Sequence, residues 1–213
     1  KLSKLLDEKI LIIGSGRTDS GVHAIKQSAH FDSKKKIQNL NKFIKSINYF
    51  VNNRGISIID IKKRNLNFHA RFSAKQRIYK YIIFNRLSRP SIEKERGWHV
   101  IKKLDINLMK KGAKKLLGTK DFSTFRASSC NAKSPIRTIK SIKIRLVKSR
   151  IEIQFKSQSF LQQQVRSMVG CLKYVAEKKW DLKKFELIVK SKKRILCAPP
   201  APSHGLFLEK VIY

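Results

Sequence analysis

The sequence predicts an α+β fold in which one sheet carries helices on one side. Three observations point there. Arg77–Asn85 (RIYKYIIFN) packs Ile, Tyr and Phe into one strand-length run. Ile139–Val147 and Ile151–Phe155 read as a hairpin, with Ile151, Ile153 and Phe155 alternating with Glu152 and Gln154, so that one face meets water. Between and after these strands, apolar residues recur at helical rather than strand spacing.

Taken in order, Lys9–Ile13 (KILII) is a short apolar run before Gly14 and suits a buried strand. Gln27–Asp32 alternates weakly and reads as the next. Ile37, Leu40, Ile44 and Ile47 form the apolar stripe of a helix that stops near Asn52-Asn53-Arg54-Gly55. Ile56–Ile61 is β-branched and predicts a strand. The polar segment Arg86–Gly97, with Pro90 inside, predicts a long loop or a connection between domains. A second helix runs from about Asp105, its cap, to Leu117, and Gly118 ends it. Leu161, Val165, Met168, Val169 and Leu172 lie on one side of a third helix, Leu182–Lys190 forms a fourth, and Leu206–Ile212 closes the chain as a strand. The division expected is 1–75 and 76–213. No repeat of fixed period is visible, which argues against solenoids and propellers.

Charge narrows the partner. Lys and Arg number 49 against 14 Asp and Glu, a formal +35. Small soluble domains do well with a net charge of magnitude about 2–8, and so much like charge opposes compaction. A polyanion, nucleic acid first, accounts for it, although the abundance of Lys, Ile and Asn together also reads as drift of surface positions. With 41% hydrophobic residues the chain can build a core, so it is not a disordered basic tail. No apolar run approaches the roughly 20 residues that span a bilayer, and the first residues, KLSKLLDEKI, lack a signal-peptide layout. Cys130, Cys171 and Cys197 are odd in number and widely spaced, which predicts a reducing cytoplasm with neither disulfide framework nor zinc site. His23, His30, His69, His99 and His204 show no metal-ligand spacing, so no metal is expected.

The stretch that carries chemistry is Gly14–Ala24, GSGRTDSGVHA. As a tight turn, Gly14, Gly16 and Gly21 supply backbone freedom and Asp19 caps the residues after it. As a phosphate cradle it fails in detail, since Asp19 stands where a third glycine belongs and there is no G-K-[ST]. As an acid-protease loop, D-S-G lacks the second carboxylate that such chemistry shares a proton with. The turn reading leaves unexplained why Arg17 sits two residues from Asp19. A carboxylate taken out of water is costly unless paired, an adjacent guanidinium orients it and keeps it ionised, and a positioned carboxylate is a nucleophile.

Gly16–Ala24 (GRTDSGVHA) closely resembles the G-R-T-D-x-G-V-H-A signature of TruA-type tRNA pseudouridine synthases. Four further blocks resemble the same family in the same order. They are FHARFSA at Phe68–Ala74 with Arg77, Tyr79 and Tyr81; DFSTFR at Asp121–Arg126 with Cys130, Pro135 and Arg137; Phe160-Leu161 with Val165–Gly170; and Pro199, Ala201 and Pro202 with Gly205-Leu206. The resemblance covers nearly the whole chain. It implies the mixed or antiparallel sheet core of the pseudouridine synthases with flanking helices, two lobes around a basic cleft, and isomerisation of uridine in the anticodon stem-loop of tRNA at positions 38, 39 and 40. It also implies a cytoplasmic homodimer and no cofactor.

Residue by residue, the resemblance makes Asp19 the nucleophile and places Arg17 beside it to hold or replace the flipped base. Arg166 pairs with Asp19, Tyr79 stacks on the uracil and Leu206 walls the pocket. Taken alone, Tyr79 reads as strand core, Arg166 as a solvated arginine at the flank of its helix stripe, and Leu206 as core. A base must leave its stack before a carboxylate reaches it, at a cost of a few kcal/mol, and an aromatic face returns about 1–3 kcal/mol. Arg126, Lys133 and Arg137 are candidate RNA backbone contacts, alongside Lys34–Lys36. Two departures stand out. The segment that normally precedes G-R-T-D is not seen, so the N-terminal lobe is expected to be short by about 30–40 residues, one supersecondary unit. Gln162–Gln164 also replaces a stretch that usually carries His and Met. The alternative from another class is a non-catalytic RNA-binding protein or RNA chaperone that keeps the fold.

Overall fold

A computed structural model describes residues 1–213, the side chain of Asn53 excepted. The chain divides into two compact units, one built from Lys1–Gly16 with Ser28–Ser73, the other from Arg17–Gln27 with Ala74–Tyr213.

In the first unit, helix α1 (Leu2–Leu6) and helix α2 (Leu40–Val51) bury Leu6, Phe43 and Ile47 together. Asn39 caps α2 by accepting a hydrogen bond from the Lys42 amide at 2.9 Å, which satisfies one of the helix's orphan donors. The strand expected at Lys9–Ile13 is reduced to β1 (Ile13–Gly14), paired antiparallel with β3 (Ala29–His30). Leu11 and Ile12 are 75% and 56% exposed, so the apolar run is not a buried strand. The expected strand at Ile56–Ile61 is absent. Its backbone is irregular, and the Asn48 side chain of α2 takes the place of a strand partner: its amide oxygen accepts from the Ile58 N–H at 2.7 Å and its amide nitrogen donates to the Ile58 carbonyl at 2.9 Å. Ile58 and Ile61 still pack on the small core, so the β-branched residues here serve burial rather than pairing.

The second unit holds a seven-stranded mixed sheet. Its strands are β2 (His23–Ala24), β4 (Gln76–Asn85), β5 (Trp98–Val100), β6 (Gly118–Asp121), β7 (Ile136–Val147), β8 (Arg150–Ser157) and β9 (Leu206–Ile212), in the order β2-β9-β4-β8-β7-β6 with β5 beside the end of β4. β2–β9 and β4–β5 run parallel and the other pairs antiparallel. β8 alternates strictly, burying Ile151, Ile153 and Phe155 and turning Glu152 and Gln154 outward, as a sheet covered on one face requires. Helices α3 (Ile106–Lys115), α4 (Gln164–Ala176) and α5 (Leu182–Ser191) complete the core. Asp105 and Asp181 cap α3 and α5 through the Leu108 and Lys184 amides. Arg86–Gly97 is the loop from β4 to β5 and lies inside this unit.

The third helix begins later than its apolar stripe predicts, at Gln164 instead of Leu161. Gln163 sits at φ 60°, left-handed backbone that a helix cannot pass through, and the Leu161 N–H is taken up by the Gln164 side chain at 2.8 Å. Once started, α4 is buried almost all round. One face is pressed so closely on the irregular segment 197–202 that a Cβ on Gly170 would run into the Pro199 carbonyl oxygen. Gly170→Ala is therefore expected to cost at least about 2–3 kcal/mol, as overpacking against rigid backbone does. Chemical denaturation of the two chains measures it.

Candidate active site

The site grows from the turn at Arg17–Val22. The Asp19 carbonyl accepts from the Val22 N–H at 3.1 Å, which folds the chain back, and Gly21 makes the fold possible at φ 77°. A side chain there would also meet Ser203 Oγ at 2.6 Å, so the turn rests directly on the 3-10 segment Ser203–Gly205. Immediately beyond, β2 pairs with β9 through His23 and Phe207, and the Ile25 N–H donates to the Leu208 carbonyl at 2.8 Å. The His23 ring stacks on Phe207 with centroids 4.8 Å apart, while its Nε2 lies 2.8 Å from the Glu95 carbonyl and its Nδ1 3.2 Å from Arg96 Nη1. The C-terminal end of the turn is thus fastened to the sheet and its loops.

Against this turn stands the first helical turn of α4. Arg166 Nη1 donates to Asp19 Oδ2 at 2.7 Å, and the two side chains are only 16% and 23% exposed. The guanidinium is itself held: its Nε donates to the Ala201 carbonyl at 2.8 Å, and the Ala201 N–H donates back to the Arg166 carbonyl at 3.0 Å. One residue on, the Pro202 carbonyl accepts from the Tyr81 hydroxyl at 2.8 Å. A β4 tyrosine, the Ala201-Pro202 backbone and a helix arginine therefore form one chain of contacts that ends at a carboxylate. Such an arrangement fixes the carboxylate's direction, because Arg presents its donors in a rigid planar fork. It also leaves Asp19 Oδ1 with no hydrogen-bond partner among the described residues.

Tyr79 lies two residues before Tyr81 and so projects from the same face of β4. Its ring meets Phe160 edge to face at 5.3 Å. Burial raises its phenol above the ordinary tyrosine range; Arg77 opposes the rise and the nearby Asp19 charge adds to it, so the ring is neutral at physiological pH. Leu206 pairs with Tyr81 across β4 and β9 and is buried in the same cluster.

Asp19, Arg166, Tyr79 and Leu206 all belong to the second unit: Arg166 pairs with the Asp19 carboxylate, Tyr79 lies near enough to feel its charge, and Leu206 sits in the core cluster on which Tyr79 packs. Arg17 is exposed and makes no hydrogen bond or ion pair among the described residues. Arg126, Lys133 and Arg137 sit on the segment from the end of the 3-10 helix Ser123–Phe125 to the start of β7, without contact to Asp19 among the described residues. Both guanidiniums bind their own loop. Arg126 Nη2 donates to the Cys130 and Ala132 carbonyls, and Arg137 Nη1 to those of Ser134 at 2.9 Å and Ile136 at 2.6 Å. Burial lowers the Arg137 pKa. Lys133 is exposed. Sequence reasoning assigns no role to Tyr81 or to the Ala201 and Pro202 carbonyls. The signal available is the second tyrosine in R-x-Y-x-Y and the proline-stiffened ending.

Comparison with known proteins bears on the nature of this arrangement. The profile of a family described as tRNA pseudouridine synthase matches residues 113–213. A protein of Pelagibacter ubique (strain HTCC1062) named tRNA pseudouridine synthase A is 79% identical over 213 residues, all of this chain and 87% of its own length. The chain belongs to the tRNA pseudouridine synthase family. Two more distant proteins of the same name agree: one of Maricaulis maris (strain MCS10), 38% identical over 99% of this chain and 84% of its own, and one of Hyphomonas neptunium (strain ATCC 15444), 39% identical over 95% and 81%. The match to the Pelagibacter protein takes in Asp19 and Tyr79, which precede the segment matched by the family profile. The mixed sheet with its helices is the fold expected of a tRNA pseudouridine synthase, and the family is one of isomerases.

Proposed function

We propose that this chain converts uridine to pseudouridine at positions 38, 39 and 40 of the tRNA anticodon stem-loop, with the Asp19 carboxylate as nucleophile, acting as a homodimer in the cytoplasm. The observation that carries the reading is the Arg166–Asp19 ion pair, which turns one carboxylate oxygen inward and leaves the other for the nucleoside.

The chemistry needs no cofactor. The bond between N1 of uracil and C1′ of ribose breaks, the base rotates, and C5 bonds to C1′. The hydrogen at C5 leaves as a proton and N1 ends protonated, so atoms and electrons balance. Asp19 Oδ1 bonds to the nucleoside as the N1–C1′ bond is lost, and that bond breaks again once C5 has joined C1′, which returns the free carboxylate, while Arg166 keeps the carboxylate aimed. The target base has to leave its stack, at a cost of a few kcal/mol. Tyr79 offers a neutral aromatic face to receive it, Leu206 closes the pocket behind, and Arg17, exposed and unpaired among the described residues, fills the gap or holds the displaced nucleotide. The net +35 supplies the attraction for the phosphate backbone, with Lys133 the freest donor on its loop and Arg126 and Arg137 shaping that loop.

Tyr79→Ala is expected to slow conversion about 10- to 100-fold, in line with stacking worth about 1–3 kcal/mol, whereas Tyr79→Phe retains most of the rate. Single-turnover assays with excess protein measure both. The reading as a whole is tested by incubating unmodified tRNA with the protein and mapping pseudouridine by nucleotide. Product at 38, 39 and 40 is expected. Product elsewhere in the tRNA removes the site assignment, and tight tRNA binding without any product favours the non-catalytic RNA-binding reading.

A further inference from the structure

Cys171 and Cys197 take no part in the reaction above, yet their Sγ atoms lie 3.4 Å apart. Cys171 is in the middle of α4 and fully buried. Cys197 directly follows the 3-10 segment Arg194–Leu196 and is only half-buried. Cys130, the third cysteine, is buried and has no sulfur contact with either among the described residues. We propose that Cys171 and Cys197 are an oxidation site, a dithiol that peroxide converts reversibly into a disulfide between α4 and the segment just after Arg194–Leu196.

The geometry requires only a small movement. A disulfide holds its sulfurs at about 2.04 Å, so the thiols must close by roughly 1.4 Å. Cys171 is immobilised by the core on every side, and the contact between Gly170 and the Pro199 carbonyl prevents α4 from advancing further. Cys197 is the partner placed to move, because the short segment before it is exposed at Ile195 and Leu196 and is held mainly through the Arg194 side chain, which donates to Ser167 Oγ at 2.8 Å.

Reactivity favours the same order of events. Hydrogen bonding from Cys171 lowers the Cys197 pKa, burial opposes this, and the Arg194 charge reinforces it. The same contact, together with burial, pushes the Cys171 thiol up. The thiolate is the species that peroxide oxidises, so Cys197 reacts first. Its sulfur attacks one peroxide oxygen, the O–O bond breaks, and Cys197 becomes a sulfenic acid with one water released. The Cys171 sulfur then attacks the Cys197 sulfur, the S–O bond breaks, and a second water leaves. Two S–H bonds are lost, one S–S bond is formed, and hydrogen peroxide has been reduced to two waters.

The bond has a structural consequence. The 197–202 segment carries the Ala201 carbonyl that holds Arg166, so the disulfide ties both ends of that support together and closes the loop containing α5. Crosslinks of this kind stabilise mainly by restricting the unfolded chain.

The test exposes the whole protein to hydrogen peroxide, alkylates remaining thiols after denaturation, and maps the peptides. The expected product is an intact mass lower by two hydrogens, a Cys171–Cys197 linked peptide at least about tenfold more abundant than any linked peptide containing Cys130, reversal by dithiothreitol, and a higher melting temperature for the oxidised form. Cys171→Ser should stop at a Cys197 sulfenic acid that dimedone captures, and Cys197→Ser should leave Cys171 fully alkylated. Irreversible oxidation of Cys197 without linkage in the unaltered chain, or linkage through Cys130, overturns the proposal.

Discussion

An Asp19→Asn chain is expected to fold and to bind tRNA as the parent does, and to convert uridine at least about a thousand-fold more slowly, the scale seen when an enzyme loses its nucleophile. The substitution is nearly isosteric. The amide oxygen of the substituted side chain can still accept from Arg166, and the turn held by the Val22 amide and by Gly21 on Ser203 is untouched. What disappears is the carboxylate oxygen that no protein donor among the described residues occupies. Affinity for tRNA is set by many backbone contacts rather than by one acid, so binding should stay within about twofold, and the loss should appear in the single-turnover rate. A chain that loses binding and rate together would place Asp19 in the RNA interface instead.

Arg166→Met should produce the second-largest loss. Methionine keeps much of the arginine's length and apolar bulk, so α4 still packs, but two donors vanish. Asp19 loses its ion-pair partner, and the Ala201 carbonyl loses the Nε–H. Removing one member of a fully buried pair costs about 3–5 kcal/mol, and here both groups retain some contact with water, so stability should fall by less. Catalysis is the more sensitive readout. A reacting group displaced by about 1 Å can cost about a hundred-fold, and that is the expected scale. Arg166→Lys should recover part of the rate, because the charge returns without the fork that spans Asp19 and Ala201. Equal rates for the Lys and Met chains would mean that charge near Asp19 does not matter.

Long elements with consistent patterns were legible in the sequence. β4, the β7–β8 hairpin, α3 and α5 lie within a few residues of the bounds their periodicity predicts, and Asp105 caps α3 as expected. β2, β5 and β6 were not legible, because strands of two to four residues owe their existence to distant partners such as Phe207 and Ile83 rather than to local preference. Ile56–Ile61 misled for the opposite reason, since β-branched residues supply burial as well as pairing. The late start of α4 hinges on a glutamine in left-handed backbone, a conformation that its side chain does not announce.

At the site, the Arg17–Asp19 spacing is visible by eye, whereas the Arg166–Asp19 pair spans 147 positions. Helical spacing alone makes Arg166 a solvated flank residue, and only the family resemblance connects the two. The Cys171–Cys197 approach is equally invisible in a count of three scattered cysteines. Charge informs less about location than about partner. The +35 argues for a polyanion, yet Arg126 and Arg137 turn out to bind the carbonyls of their own loop.

The most direct test tracks the C5 hydrogen. Formation of the bond between C5 and C1′ must expel it, and binding, base flipping or chaperone activity does not. tRNA transcribed with uridine tritiated at C5 should release its label to water when mixed with the protein, up to the number of target uridines in the anticodon arm. Retention of all label by tRNA that is demonstrably bound would contradict the account.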